Sequence, residues 1–302
     1  MTGNGGVPPI SVVLASREPW PALERALELL HPQAVDLGAE LIVPIADPRC
    51  QPPDAPERFP AVRWLLEPGA TIVELRARAF TASTAQVVAI TEDHATVESG
   101  WLRGHLDAHA AHPHAVAVGG VVLNATTATR LDRANFFVAS GRFLPPLEAG
   151  ESPQISLQAN SSMKRRALPA TWPEQGYLAM TFLEELRDRG ERFVADPRLV
   201  VRHYQHLDAA TCGEVHFHNG RAIAGFRSLR MSAPQRALRA VACAVLPAVM
   251  LWRTLRDVTA KHGQRRAVLS SSGWIVWLLL WHAAGEAAGY LLGPGESAGK
   301  LP

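Results

Sequence analysis

Cysteine is scarce in this chain: only Cys50, Cys212 and Cys243 occur among 302 residues. They are too few and too scattered for a disulfide framework or a CxxC metal site, so a reducing compartment is the simpler inference. A surplus of charge is also missing, with 30 basic residues against 28 acidic ones. That balance leaves no overall electrostatic footprint for nucleic acid, which is not an expected partner. Met1 to Pro9 lacks the basic and apolar regions of a signal peptide, so the N-terminal part is expected in the cytosol. A cytosolic location would make the sequons at Asn124 and Asn160 irrelevant. No P-loop pattern occurs. Gly3-Asn4-Gly5-Gly6 precedes the first strand instead of following one, which does not match a dinucleotide-binding fingerprint.

Long apolar runs are the last absence. Ala240–Trp252 and Ala267–Trp281 carry no acidic or basic side chain, yet both fall short of the roughly 18–20 residues of a spanning helix. Pro247 lies in the first, and Ser270-Ser271-Ser272-Gly273 interrupts the second. Extending the second to Leu292 takes in His282 and Glu286. Association with a membrane surface is expected in preference to spanning.

What is present reads as alternating strands and helices. Ile10–Ala15, Glu40–Ile45, Val62–Leu66, Val87–Ile90 and Ala115–Val118 have the apolar character of buried strands. Pro21–Leu30, Ile72–Ala82, Trp101–His112 and Phe182–Arg189 have helical spacing, the first placing Leu23, Ala26, Leu27 and Leu30 on one face. Phe193–Val194 and Leu199–Val201 read as two short strands separated by Ala195-Asp196-Pro197. Arg49–Pro60 reads as a loop, and Asn124–Glu151 as an irregular segment suited to covering a substrate. The alternation predicts an α/β fold with a mostly parallel sheet covered on both faces, in residues 1–205. Residues 206–302 are predicted to be helical. His105, His109 and His112 share helical spacing, with His114 following. No acid or cysteine completes a zinc site, so a solvated helix face is expected there.

The chemistry concentrates after the Val87–Ile90 strand, which runs into Thr91-Glu92-Asp93-His94. Acids at a strand's end sit at the mouth of a sheet, where a divalent cation would bridge them to a phosphate. An ordinary acidic turn is the plainer alternative. The order of the pieces resembles the family 2 glycosyltransferases, across roughly residues 10–205. The fragments that carry it are Ile10-Ser11-Val12-Val13-Leu14, the strand ending at Asp47, Thr91-Glu92-Asp93-His94 before Gly100-Trp101-Leu102, and Gly119-Gly120. Asn160-Ser161-Ser162-Met163-Lys164-Arg165, Leu183–Gly190, Ala195-Asp196-Pro197 and Val201-Arg202-His203 complete it.

The resemblance implies a GT-A-type, Rossmann-like domain that takes a nucleoside-diphosphate sugar with Mg2+ or Mn2+. It implies that Glu92 and Asp93 hold the metal, Asp93 foremost, with the cation acting as a Lewis acid on the departing diphosphate. His203 matches the position where relatives supply a histidine to the metal or diphosphate; a structural histidine is the alternative. Asp47 stands where relatives bind the uracil or ribose, or else forms an Asp-Pro turn. Asn160 opens the segment that in relatives lines the donor-sugar pocket. Arg76 lies on a helix near the nucleotide side by resemblance, or simply on the surface.

One departure stands out. Inverting relatives place an acidic pair about ten residues before the glycine matching Gly190, as the base for the acceptor hydroxyl. Here that stretch reads Gly176-Tyr177-Leu178-Ala179-Met180-Thr181, without an acid. Glu174, Glu184 and Glu185 are the nearest candidates, and Glu184-Glu185 also reads as a solvated helix face. A shifted base, an acceptor needing little base assistance, and lost catalysis all remain open.

Basic residues flank the apolar C-terminal segments: Arg221, Arg227, Arg230, Arg236 and Arg239 before the first, and Arg253, Arg256, Lys261, Arg265 and Arg266 between the two. Such flanks suit anionic headgroups, and Trp274, Trp277 and Trp281 line one helix face as at a membrane interface. The alternative is a helical hairpin packed on the first domain or on a second copy of the chain. The expectation is therefore a glycosyltransferase at the cytoplasmic face of a membrane, acting on a hydroxyl acceptor of lipid-linked or polysaccharide-precursor type. Its rivals are a catalytically silent sugar-nucleotide-binding or scaffold protein, and a nucleotidyltransferase. Ser16-Arg17-Glu18-Pro19 lacks the glycines that the latter needs after its first strand.

Overall fold

The computed structural model describes residues 6–17, 20–173 and 176–301. They form two compact units. The first comprises Met1–Val121, Leu147–Ala179 and Glu185–His203; the second comprises Val122–Pro146, Met180–Glu184 and Tyr204–Pro302.

The first unit is built on a sheet. Strand β1 (Ser11–Val13) is followed by helix α1 (Trp20–Leu37), β2 (Glu40–Ile45), the one-turn helix α2 (Ala55–Arg58), β3 (Val62–Leu66) and α3 (Ile72–Ala82). Then come β4 (Val87–Ile90), β5 (Ala95–Val97), α4 (Trp101–Ala111) and β6 (Ala115–Asn124). In chain order there follow helix α5 (Arg130–Ser140), which belongs to the second unit, β7 (Gly150–Glu151), β8 (Ser161–Lys164), α6 (Ala179–Asp188), whose residues 180–184 also belong to the second unit, and β9 (Arg192–His203). The strand order is β3-β2-β1-β4-β8-β6-β9-β5, with β7 on β9.

The sheet is mixed, which corrects the expectation of a mostly parallel one. The pairs β1–β2, β1–β4 and β2–β3 are parallel, whereas β4–β8, β6–β8, β5–β9 and β7–β9 are antiparallel. Apolar periodicity reports burial and not strand direction, so the sequence does not separate the two halves. The parallel half has the buried runs that sheets covered on both faces require; Val12, Val13, Leu41, Ile42, Val43, Val88, Ala89 and Ile90 are all inaccessible.

Several local expectations change. Helix α1 continues seven residues past Leu30, through Pro32, because Ala34 extends the buried face begun by Leu23. The loop Arg49–Pro60 contains α2 and a short 3-10 turn at Pro48–Cys50. The two short strands near residue 196 are one strand, β9: Asp196 accepts the Arg198 N–H at 2.9 Å and so accommodates the Asp-Pro step. The irregular segment after Asn124 contains α5, started by a capping box in which Thr129 and Asp132 bond each other's backbone N–H. His105 and His109 do not face solvent. Both are buried, and Ser162 on β8 lies 2.8 Å from His105 Nδ1 and 3.0 Å from His109 Nε2.

The second unit is helical, with α7 (Ala209–Ser228), α8 (Ala233–Ala242), α9 (Leu246–Thr259), α10 (Arg265–Ser270) and α11 (Ser272–Leu292). Helices α7 and α11 approach at backbone distance. A Cβ on Gly285 would meet the Phe217 carbonyl at 2.0 Å, and one on Gly220 the His282 carbonyl at 2.3 Å. His282 and Glu286, both buried on α11, pair at 3.1 Å. Helix α11 runs unbroken for 21 residues, and by length and composition it is apolar enough to cross a membrane. Helices α8 and α9 are bent by 57° at their junction. They expose Leu238 (71 %), Val241 (73 %) and Trp252 (60 %).

Candidate metal centre

Strand β4 lies inside the sheet, so the residues that follow it emerge between neighbouring strand ends. Thr91 ties this exit down by donating its hydroxyl to the Ala159 carbonyl at 2.9 Å, just before β8. Glu92, Asp93 and His94 come next. The short strand β5 then pairs with the end of β9 in a register that sets Ala95 opposite His203. This pairing brings His203 beside His94, although 109 positions separate them.

Three ligand-type atoms converge there. His94 Nε2 and His203 Nε2 are 3.1 Å apart, His203 Nε2 is 3.3 Å from Glu92 Oε2, and His94 Nε2 is 3.9 Å from that same oxygen. The other Glu92 oxygen is clamped by Gln158 Nε2 at 2.5 Å, with Arg76 at 3.6 Å. Asp93 faces elsewhere: Oδ1 is 2.8 Å from His94 Nδ1, and Oδ2 accepts the Ser16 hydroxyl at 2.6 Å. The chain thus orders Ser16, Asp93 and His94 into a relay behind the convergent atoms.

The electrostatics follow from this packing. Burial pushes the Glu92 carboxyl up, but the hydrogen bond from His203 and the charges of His94, His203 and Arg76 outweigh it and hold the group well below the carboxylate range. Asp93 is likewise raised by burial and lowered further by His94 and Ser16, for a net downward shift. Both acids are therefore ionised in a buried setting.

The donor set fits a divalent cation. Two ligand atoms each about 2.1 Å from one ion stand about 3 Å apart when they meet at a right angle. The shorter edges of the Glu92–His94–His203 triangle match that spacing. Three lone-pair donors brought this close repel unless a proton or a cation lies among them. Asp93, expected as the foremost ligand, lies outside this group, its oxygens turned to His94 Nδ1 and the Ser16 hydroxyl. Residues 92 and 94, alternate in the chain, face the cluster while the residue between them turns to Ser16 on the neighbouring strand's end.

The remaining predicted residues are placed as follows. Arg76 is not on the surface; it is buried, with its guanidinium 3.6 Å from Glu92. Asn160 is inaccessible, and its amide hydrogens go to the Val121 and Leu199 carbonyls at 2.8 and 2.9 Å. Its oxygen accepts the Trp101 indole N–H at 2.8 Å, so its side chain ties strands together instead of lining a pocket. Asp47 follows β2, at the same carboxyl edge as Ser16 and Glu92. It caps the 3-10 turn through the Arg49 N–H at 2.8 Å and pairs with the Arg49 side chain. Burial pushes the nearby Cys50 thiol up, and the charges of Asp47 and Asp93 add to it.

Of the proposed bases, Glu174 lies outside the described residues. Glu184 is not on a solvated face: both its oxygens engage the Arg227 guanidinium. Glu185 is half-buried on α6, and neither glutamate belongs to the convergent group. Sequence reasoning missed His94, Gln158 and Ser16. For His94 the available signal was its i+2 spacing from Glu92; for the other two there was none, since strand pairing alone makes them neighbours.

No protein-family model and no curated protein matches the chain. Solved structures that share its fold include the following two. A mannosyltransferase, PcManGT from Pyrobaculum calidifontis in complex with GDP-Man and Mn2+, aligns over 95 % of this chain and 88 % of its own, at 16 % identity and a TM-score of 0.56. TarS of S. aureus, residues 1–349, aligns over 92 % of this chain and 90 % of its own, at 11 % identity and a TM-score of 0.52. The architecture is one that glycosyltransferases use.

Proposed function

We propose that this chain is a family 2-like glycosyltransferase with a GT-A-type nucleotide-sugar domain. It moves a hexosyl group from a nucleoside-diphosphate donor to a hydroxyl acceptor, with inversion. The observation that carries this reading is the convergence of Glu92, His94 and His203 at the carboxyl edge of the parallel half of the sheet. Open α/β sheets bind their ligands at that edge. Mn2+ or Mg2+ held there would supply the positive charge that a leaving diphosphate needs. The likeness to a mannosyltransferase solved with GDP-Man and Mn2+ favours a sugar-nucleotide donor and makes GDP the first nucleotide to try.

The chain's own residues divide the remaining work. Asp93 and Ser16 hold the His94 ring, and Arg76 and Gln158 aim Glu92. Asp47 receives the ribose or base once Arg49 yields its place. In this division residues 1–205 perform the transfer and residues 206–302 attach the enzyme to the cytoplasmic face of a membrane. The exposed apolar side chains of α8 and α9, flanked by arginines, and the length of α11 support that attachment. A lipid-linked or polysaccharide-precursor acceptor and self-association through the helices are consistent with it.

A second reading has an observation behind it. Residues 176–181 contain no acid and Glu184 is occupied by Arg227, which favours a sugar-nucleotide-binding protein without turnover. Calorimetric binding of GDP, UDP and TDP, with and without Mn2+, separates these outcomes when wild type is compared with Glu92→Gln in matched detergent. Metal-dependent binding lost in the variant, together with nucleotide release from the sugar donor, supports the transferase. Binding without turnover over a broad acceptor panel supports the silent binder. Absence of binding by folded protein removes both.

A further inference from the structure

We infer that a concavity between the first turns of α5 and α11 binds the phosphate headgroup of an anionic phospholipid. The inference rests on the membrane attachment proposed above and gives that attachment a specific ligand. The concavity has a volume of about 440 Å3 and is lined by Arg130, Ser270, Gly273, Trp274 and Trp277, all within the helical unit. That volume falls in the range of small-ligand sites. No carboxylate is among the lining residues. Arg130 supplies a guanidinium and the two tryptophans supply indole N–H groups, all of which donate hydrogen bonds and never accept them. Among the described residues none of these three side chains has a hydrogen-bond or ion-pair partner. A lining of unspent donors calls for an anionic acceptor.

Arg130 works against the helix that carries it. It is exposed at the first position of α5, where the helix dipole disfavours a cation. The acid in that turn, Asp132, is already engaged by the Thr129 N–H and by His206. The positive end of α5 and the guanidinium therefore add, and both attract an anion. Next to Ser270, Ser271 is inaccessible and its hydroxyl has no partner among the described residues. Buried polar groups are ordinarily satisfied, so this one marks a missing acceptor. The surroundings favour a lipid over a free phosphate. Leu269, beside Ser270, and Leu280, one turn beyond Trp277, are 52 % and 54 % exposed. The Trp274 and Trp277 rings pack edge to face at 5.6 Å, and paired indoles beside a basic side chain suit the headgroup level of a bilayer.

The test labels the tryptophans of the full-length protein with nitrogen-15 and follows the Trp274 and Trp277 indole N–H resonances in zwitterionic micelles. Dihexanoyl phosphatidic acid, dihexanoyl phosphatidylcholine, glycerol phosphate and inorganic phosphate are titrated in turn. Expected is a saturable downfield shift with phosphatidic acid, at least about tenfold tighter than with either soluble phosphate, and none with phosphatidylcholine. Arg130→Gln, a change at an exposed position, should weaken that binding about tenfold, and Arg130→Lys should restore part of it. Equal affinity for inorganic phosphate and phosphatidic acid would overturn the lipid as the ligand. Equal affinity in wild type and Arg130→Gln, or an equal response to phosphatidylcholine, would overturn the site and leave attachment through α8 and α9 standing. Phosphatidic acid binding in micelles by a protein that floats with no vesicle would support the site and overturn the attachment.

Discussion

Asp93 and His94 are adjacent in the chain and face each other: Asp93 Oδ1, on a buried side chain, stands 2.8 Å from His94 Nδ1. The contact turns the imidazole's other nitrogen toward Glu92 and His203. A carboxylate placed behind a histidine in this way sets its tautomer and its aim. Asp93→Asn should therefore weaken Mn2+ binding by about 10–100-fold without abolishing it. Glu92→Gln should abolish it. Equal losses in the two variants, measured by calorimetry, would mean that Asp93 is itself a ligand.

Asn160 is a strand tie. Asn160→Ala leaves the Trp101 indole N–H and the Val121 and Leu199 carbonyls buried without this partner. The expected cost is about 3 kcal/mol of unfolding free energy, at about 1–3 kcal/mol for each group with partial relaxation. Nucleotide affinity of the folded fraction should be unchanged. A selective loss of donor binding at full stability would restore Asn160 to the sugar pocket.

Arg76 is buried against Glu92 at 3.6 Å. Arg76→Met removes the cation and leaves a buried carboxylate with less compensation, at a cost of about 3 kcal/mol. Urea unfolding of the variant reads this directly. A change below about 0.5 kcal/mol would assign Arg76 to the nucleotide instead of to Glu92.

Burial holds His105 at about 3 and His109 at about 4, against an ordinary histidine value of 6.5. Below that ordinary value the unfolded chain binds protons that the native chain refuses. The stability these groups contribute is complete above about pH 6.5 and is lost progressively as pH falls toward their native values. Thermal midpoints should decline from pH 6.5 to pH 4, and His109→Gln, which can still reach Ser162, should flatten that decline. An identical slope in the variant would show that His109 is already charged in the native protein.

The exposed apolar residues of α8 and α9, with Arg236, Arg239, Arg253 and Arg256 along the same helices, predict binding to membranes with a preference for anionic ones. Wild-type protein should float with vesicles containing phosphatidylserine and release them as salt rises, since headgroup attraction is screened. Leu238→Glu with Trp252→Glu should remove most of that binding, because both side chains stand largely clear of the helical unit. Flotation unaffected by the double change would move the attachment to α11.

Periodicity alone sufficed for β2, β3, α3 and β4, whose bounds are those expected from their apolar spacing. It misled at α4. His105 and His109 looked like a polar face because histidine is polar, and only the Ser162 hydroxyl on a remote strand makes that face an interior one. It also missed α5, whose capping box was present but used Asp132 where Glu or Gln is the familiar partner.

For the site, the sequence by itself determined that acids and a histidine leave the end of a buried strand together, because local apolar and polar order is a property of consecutive residues. Which of them converge was decided by the tertiary structure. The β5–β9 register carries His203 to His94 across 109 positions, and the turn after β4 sends Asp93 back to Ser16. Strand pairing between distant segments depends on where each strand docks in the sheet, and no local pattern encodes that. The same physics explains Arg76, Gln158 and Asn160, whose partners lie on other elements and whose roles exist only once those elements pack.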